Sequence, residues 1–592
     1  MTTTTSSCLQ FLRQYVWKPL VVGRANNNGG SLRFYRLPGQ LGLMKRDETP
    51  EYPRIYPTNT TRMSVPAFRV KYEHINRGER LDEEVILHGR IQAVRSHGAK
   101  LLFLVLKSEF TEVQAMFNLH TIAGSTNVAD IDPKVLSRGL TRGDIISVTG
   151  RPTRTPTTGE LTIDATEPPL LLTPSLVPVP VKLADEDRRI KQRHMDLLVN
   201  RRTADTLRLR SYLIKYMRDF LHARDFLEVQ TPILAENAGG AVARPFTTTM
   251  AGAGATDLAL RIAPELWLKR LVIGGMDKVF ELGPSFRNEG LDQTHNPEFT
   301  TCEFYSTYAN LDDLIGLTEE LVCGLAEHCQ ELIATKLDSL PAIDTSIFRR
   351  PFKQMEFIPA IQSAIGITLP DLSGPDALDT LVAELESHGI AVERPLPTLP
   401  KLLDRLAATH LEPHSAEAPL FITHQPVCMS PLSKSFVCPE TGQTVSARAE
   451  LFMGGRELVN MYEEENDPFA QRDKFIEQAK HRDTAADGAS AVNADGELLI
   501  DENYVQALEA GLPPTGGWGC GVDRLVMLFA GTRRISDTLS FGNLRNVVTV
   551  STLKRPFERD RVDVDVDKMK IKPAQGDSHV ENSPGFRRLV IR

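Results

Sequence analysis

Up to Asp47 the 592-residue chain contains neither aspartate nor glutamate, although acids outnumber bases overall, 76 against 68, for a net charge of −8. The same stretch carries Arg13, Lys18, Arg24, Arg33, Arg36, Lys45 and Arg46, and losing those seven would take the chain to −15. An acid-free, Ser/Thr-rich, Arg-containing start is the pattern of organellar transit segments. Such a segment is expected over 1–46, with a basic amphipathic helix from Cys8 to Lys18. Arg33-Phe34-Tyr35 resembles a mitochondrial presequence cleavage site. Cysteine is scarce: seven residues, an odd number, with no C-x-x-C pair, so neither a disulfide framework nor a zinc site is indicated. Reduced, mostly buried thiols fit a reducing compartment. Apolar runs of the roughly 20 residues that span a bilayer are missing, and the longest, near Leu101–Leu106, suits a buried strand. The acidic balance excludes a protein coated in positive charge, so any nucleic-acid surface must be a local patch.

What is present is ordinary globular composition, 41% hydrophobic and 24% charged, at a length that implies several domains. Residues 47–83 are rich in Pro, Tyr, Thr and Arg and read as a linker. From Val85 short apolar strands alternate with Gly and polar turns: Val85–Ile91, Leu101–Leu106, Val113–Phe117, Asp144–Gly150 and Glu160–Ile163. This pattern predicts a small all-β unit over 84–175, for which a five-stranded OB-type barrel fits. After the Pro-rich stretch to Pro180, the positions Leu207, Leu213, Ile214, Met217, Phe220 and Leu221 recur at helical spacing, followed by a strand at Phe226–Val229. Residues 310–340 are expected to be helical, and 341–415, punctuated by proline, read as an insertion. No internal repeat is visible.

Three segments carry chemistry together. The first is the helix and strand ending at Pro232. The second is Phe286-Arg287-Asn288-Glu289-Gly290, followed by His295-Asn296-Pro297-Glu298-Phe299 and a return strand through Glu303 and Tyr305. The third is Gly516-Gly517-Trp518-Gly519-Cys520-Gly521-Val522-Asp523-Arg524. Taken singly, each could be a hairpin with a surface charge or a glycine turn that packs. In this order they resemble motifs 1, 2 and 3 of the class II aminoacyl-tRNA synthetases, and the wording is close to the lysyl branch. The resemblance runs from about 84 to 550. It implies an α+β fold: an antiparallel-sheet catalytic domain over 176–555 behind an N-terminal all-β OB-fold domain that reads the anticodon. Residues 556–592, with the alternating Val562–Asp567 run, are expected to form a charged extension.

The resemblance also implies roles. A carboxylate attacking the α-phosphorus of ATP needs positioned positive charge rather than a protein nucleophile. Arg287 would hold the α-phosphate and the substrate carboxylate, and Arg524 the far phosphate and one face of the adenine. Phe299 would stack on the other face, with Glu289, His295 and Asn296 also at ATP. Glu450 and Glu457, flanking a Gly-Gly turn, would ligate Mg²⁺, which in such sites takes one or two carboxylates plus substrate phosphates. Glu265 and Glu303 would face the α-ammonium of L-lysine, Glu464 and Tyr305 its ε-ammonium, with Asn460 nearby and Gly240 in the closing loop. Arg95, Phe103, Gln114 and Glu160 would contact the anticodon of tRNA(Lys). A homodimer with no membrane contact, in the mitochondrial matrix, is the implied setting. Two features depart from the pattern: an extra residue between Arg95 and Phe103, and Leu539–Asn546 where the family commonly has L-F-P-x-x-R-P. An aspartyl or asparaginyl enzyme shares the architecture but needs a cation or amide where Glu464 stands. A non-catalytic, RNA-binding descendant would have lost residues such as Arg287, Arg524, Glu450 or Glu457, and all are present.

Overall fold

The computed structural model describes the backbone of 33–37 and 40–44 and then residues 52–542, apart from 56, 98–100, 119, 123–138, 237–238, 241–242, 252–255, 291 and 481–499. The expected helix at 8–18 and the extension at 556–592 lie outside the described residues, while 33–37 and 40–44 pair as two antiparallel strands.

The N-terminal unit is a closed barrel. Strands β1 (Val85–His97), β2 (Leu101–Ser108), β3 (Thr111–Asn118), β4 (Ile145–Arg154) and β5 (Leu161–Ala165) form a ring in the order β1-β2-β3-β5-β4, which β4 closes back onto β1. Side chains alternate across a strand, so Val85, Leu87, Leu102, Leu104, Leu106, Val113, Ala115, Phe117, Ile146, Val148 and Ile163 fill the interior. Helix α1 (Val65–Tyr72) adds Val65, Phe68 and Tyr72 to that core. Its first turn is capped by Ser64, whose hydroxyl accepts from the Ala67 N–H at 3.2 Å.

The second unit is built on an eight-stranded sheet. Helix α2 (Arg201–His222) leads into β6 (Leu227–Glu228). Helix α3 (Glu265–Ile273) precedes the hairpin β7 (Lys278–Phe286) and β8 (Glu298–Thr307), and α4 (Leu311–Thr335) follows. Strands β9 (Lys353–Glu356), β10 (Leu420–Thr423), β11 (Arg448–Phe452), β12 (Glu457–Glu463) and β13 (Thr515–Gly521) complete it, in the order β6-β7-β8-β13-β12-β11-β10-β9. The middle is antiparallel, and only the two outer pairs run parallel. Between β9 and β10 the chain makes helices α5 (Phe357–Ile365), α6 (Ala377–Ser387) and α7 (Leu399–His410), which bury Ile361, Leu381, Leu385, Leu402, Leu403 and Leu406 in one core with Leu420 and Ile422. Helices α8 (Pro468–Lys480), α9 (Glu502–Leu508) and α10 (Val522–Ala530) close the unit.

Strand register sorts the sheet's two faces. Phe280, Phe304, Trp518, Met461 and Ala449 lie opposite one another in a single row across five strands, and all are buried against α2, α4 and α10. The rings of Phe304 and Trp518 stack at 4.8 Å, and the indole N–H donates to Thr318 of α4 at 2.9 Å. The alternate rows, Glu281-Glu303-Gly519-Asn460-Glu450 and Val279-Tyr305-Gly517-Tyr462-Arg448, point the other way. One face is thus apolar core and the other is charged, as a half-covered antiparallel sheet requires.

Candidate active site

The charged face floors a cavity of about 390 Å³. Its walls include Gly240, Glu265, Arg287, Glu289, His295, Asn296, Phe299, Glu303, Tyr305, Glu457, Asn460 and Arg524. Residues spread over 284 positions of sequence from Gly240 to Arg524 meet because β7, β8, β13 and β12 are neighbours. The floor is open because β13 presents glycines on this side. A Cβ on Gly519 would stand 3.6 Å from Cγ of Glu303, and one on Gly517 would overlap the Glu464 carboxylate and lie 2.7 Å from the Tyr305 ring.

Arg287 and Arg524 both line the cavity. Arg287 leaves β7 with its guanidinium 5.1 Å from the centroid of the Phe299 ring. Arg524 sits in the first turn of α10 and donates to the Glu457 carbonyl at 2.8 Å, to the Glu457 carboxylate at 3.3 Å and to His295 Nε2 at 3.1 Å. An Nε2 that accepts from arginine leaves the proton on Nδ1, which donates to Asp292 at 2.7 Å. Slight burial works against the Asp292 charge, but the backbone N–H groups of Thr294 and His295 and the imidazole outweigh it, holding the carboxyl down to about 2. Asp523, beside Arg524, is buried, accepts from the Thr300 N–H at 2.7 Å and is ion-paired with Arg210 of α2.

Carboxylates gather in the same cavity. Glu303 is pushed up to about 8, first by burial and then by Glu265, with Arg287 pulling the other way. Glu265 accepts from the Tyr462 hydroxyl at 2.6 Å and from Lys269, one helical turn on, at 2.6 Å. Lys269 is fully buried and also ion-paired with Glu464. Glu464 does not line the cavity; it lies just beneath, with Oε1 at the gap left by Gly517 and without a hydrogen-bond partner. Burial pushes its carboxyl up, while Lys269 pulls it down. Asn460 is fixed by Arg448, whose Nε donates to its amide oxygen at 2.9 Å. The remaining wall at Gly240 has φ +94°, a conformation that favours glycine, and a Cβ there would come 3.1 Å from Cβ of Glu265.

Glu450 also lies outside the cavity wall, held by Arg448 and by the Gln425 amide at 3.2 Å. Burial raises it to about 7; Arg448 opposes this, while Glu457 and Asp404 add to it. Asp404 and Glu412, from α7 and the turn after it, are raised in the same way, by burial and by repulsion among these acids. Among the described residues no group of three or more His, Cys, Asp or Glu side chains forms a ready-made metal cage. Glu457 on the cavity wall and Glu450 outside it repel one another, and a carboxylate pair of this kind fits a hard cation that completes its shell with phosphate and water.

On the barrel, Arg95 lies opposite Phe103 and Val105 opposite Gln114, which places Arg95, Phe103 and Gln114 on one outer face across β1, β2 and β3. Phe103 alternates with the buried Leu102 and Leu104, so its ring is not core. Gln114 donates to Thr162 at 3.1 Å, two residues from the exposed Glu160.

Sequence reasoning missed Lys269, Arg448, Tyr462, Asp404 and Glu412. The signal for Lys269 was its four-residue spacing from Glu265, which ordinarily marks a solvated helix face. The others depend on strand register or on α7 folding back, which local sequence does not reveal.

A model of the family "tRNA synthetases class II (D, K and N)" matches residues 185–545, and one of the "OB-fold nucleic acid binding domain" matches 85–168. The chain belongs to the class II tRNA synthetases of that D, K and N group. It is 40% identical to a mitochondrial lysine–tRNA ligase of Schizosaccharomyces pombe over 83% of this chain and 91% of the relative. It is 36% identical to a probable cytoplasmic lysine–tRNA ligase of Encephalitozoon cuniculi, over 77% and 86%, and 36% identical to a lysine–tRNA ligase of Clostridium tetani, over 78% and 88%. Within its family the chain groups with the lysine–tRNA ligases.

Proposed function

We propose that this lysine–tRNA ligase activates L-lysine with ATP to lysyl-adenylate and passes the lysyl group to the 3′ end of tRNA(Lys) for mitochondrial translation. The observation that carries the reading is a single cavity lined both by the guanidinium groups of Arg287 and Arg524 and by the buried carboxylates Glu265 and Glu303. The lysine carboxylate is itself the nucleophile, so the chain's task is to position and to stabilise charge. Arg287 neutralises the carboxylate and the α-phosphate as they approach, and Phe299 beneath its guanidinium offers the adenine a stacking surface. Arg524, oriented by His295 and Glu457, takes the departing phosphates, with Glu289 and Asn296 at the same rim. Glu450 and Glu457 would hold Mg²⁺, which when bound neutralises phosphate charge. Glu303 and Glu265 receive the α-ammonium under the Gly240 loop. Glu464 Oε1, reaching past Gly517 beside the Tyr305 ring, receives the ε-ammonium, with Asn460 bordering that path.

ATP–pyrophosphate exchange with each of the twenty amino acids tests this: exchange with lysine alone is expected, and exchange with aspartate or asparagine would overturn it. Arg287→Ala should lower kcat/KM by at least ~100-fold, as for a lost charge-stabilising donor worth about 3 kcal/mol. Near-normal adenylate formation in that variant would remove Arg287 from the reaction. Glu464→Gln should raise the KM for lysine more than that for ATP.

The outer barrel face carrying Arg95, Phe103, Gln114 and Glu160 supports anticodon reading, since aromatic platforms beside basic groups bind single strands. A homodimer is supported by exposed Leu227 on the short edge strand β6 and exposed Ile233 and Leu234 shortly after it in the chain. Sedimentation equilibrium should return twice the monomer mass. Mitochondrial placement is supported by the acid-free first 46 residues and by the name of the fission-yeast relative. Import of a fluorescent protein fused behind residues 1–46 tests it, and a diffuse cytosolic signal would count against it.

A further inference from the structure

Lys269 is the buried charge in this site to which the scheme above gives no task. It is fully buried, its ammonium lies 2.6 Å from Glu265 and is ion-paired with Glu464, and the rings of Tyr305, Tyr462 and Tyr504 stand 5.6 to 5.9 Å from Nζ. Its two carboxylate partners are not arbitrary neighbours. They come from the two ends of the amino-acid pocket, one from α3 and one from the end of β12. Three carboxylates gather here, Glu265, Glu303 and Glu464, and L-lysine offers only two ammonium groups. One negative charge is therefore in excess, and a buried charge without a partner takes up a proton or distorts its surroundings.

We propose that Lys269 is a positioning residue for amino-acid selection: it occupies one of three carboxylate charges, leaving two for the α- and ε-ammonium, and it turns Glu464 so that Oε1 faces the gap over Gly517. The inference rests on the reading that Glu464 receives the ε-ammonium. Burial disfavours the Lys269 charge, but Glu265 and Glu464 more than compensate and raise its pKa above the ordinary lysine value, so it stays an ammonium throughout the working range. The groups facing it are Glu265 of α3, Tyr305 and, through Glu265, Glu303 of β8, Tyr462 of β12, Glu464, and Tyr504 of α9. An ammonium carried on a fully buried side chain is in place before substrate arrives, so Glu464 meets the incoming lysine already oriented.

The test is Lys269→Met in the full chain, assayed by ATP–pyrophosphate exchange between pH 6.5 and 9, beside Glu464→Gln. The KM for lysine should rise roughly 30-fold or more, as for one partner removed from a buried charge pair, while kcat and the KM for ATP stay within about threefold. The lysine defect should shrink as pH rises, because Glu464, deprived of its ammonium, must lose a proton before it can bind one. An unchanged KM for lysine, or a uniform loss with no pH dependence, overturns the proposal. If Glu464→Gln leaves the KM for lysine unchanged, the underlying reading fails; if Glu464→Gln raises it and Lys269→Met does not, only the role of Lys269 fails. Should circular dichroism show Lys269→Met unfolded, the double variant Lys269→Met/Glu464→Gln carries the test, since neither charge is left bare. With Glu464 already neutral, Lys269 has no carboxylate left to orient at the ε-ammonium end, so the KM for lysine of the double variant should be no higher than that of Glu464→Gln. A further tenfold rise overturns the proposal.

Discussion

At Gly517 the difference between a hydrogen and a methyl group decides whether Glu464 keeps its place. Gly517→Ala would set a Cβ against the Glu464 carboxylate and 2.7 Å from the Tyr305 ring, with neither able to retreat from a buried site. The KM for lysine should rise by at least ~10-fold, a loss of about 1.4 kcal/mol in lysine binding, while the KM for ATP is unchanged; steady-state exchange kinetics will separate the two. Protons report on the same pocket. Glu303, raised to about 8 despite Arg287, carries a proton at pH 7 before lysine arrives, and an arriving α-ammonium favours its ionised form. The free protein then binds more protons than the complex, so lysine binding should release protons at pH 7 and strengthen as pH rises toward 8. Titration calorimetry in buffers of different ionisation enthalpy measures that release, and no buffer dependence would count against it. At this scale the sequence was informative wherever a motif named the residue, as for Arg287 and Arg524. It was silent on partners made by folding: nothing near Glu464 in sequence announces Lys269, almost two hundred residues earlier.

Among the elements, periodicity carried far. Of the helical positions expected from Leu207 to Leu221, Leu213, Met217, Phe220 and Leu221 are buried along α2, and the helical stretch expected over 310–340 contains α4. Register did not carry, because the pairing of Glu303 with Gly519 and of Gly519 with Asn460 joins strands far apart in the chain. Nor did spacing show that Glu450 would sit behind Arg448 rather than on the cavity wall. One join between elements makes a prediction. Arg210 of α2 and Asp523 of α10 are 14% and 2% exposed, and Asp523 also fixes the Thr300 N–H. Removing one partner of such a pair typically costs about 3–5 kcal/mol. Arg210→Leu should lower Tm by several degrees and raise the KM for ATP, because Arg524 follows Asp523 directly. Unaltered ATP kinetics in a destabilised protein would mean that the pair serves stability alone.

For the whole molecule, the two units meet at the turn between β2 and β3. Glu109 and Phe110 hold φ of +51° and +60°, which non-glycine residues seldom adopt. Glu109 is paired with Arg208 of α2 at 2.5 Å, and Phe110 lies under both Lys107 and Arg208. The barrel is thereby docked onto the helix that leads into the catalytic sheet. Phe103→Ala, on the far-reaching outer face, should cut tRNA charging by roughly 10-fold or more, in line with about 1–3 kcal/mol for one stacked base. It should leave ATP–pyrophosphate exchange untouched, since the cavity lies in the other unit. A parallel loss in both assays would instead mean that Phe103 supports the fold. The barrel was readable because short alternating strands announce themselves; its docking was not, because the turn's strain and its partner on α2 appear only in three dimensions.

The strand delivered by the long segment before β10 sets a limit on how small a working fragment can be. β9 shields one edge of the catalytic sheet, and its backbone occupies the hydrogen-bonding positions of Leu420 to Thr423. Cut away as a dispensable loop, it would leave a bare apolar edge ready to accept a strand from another molecule. A trimmed enzyme would be expected to precipitate before its chemistry could be measured.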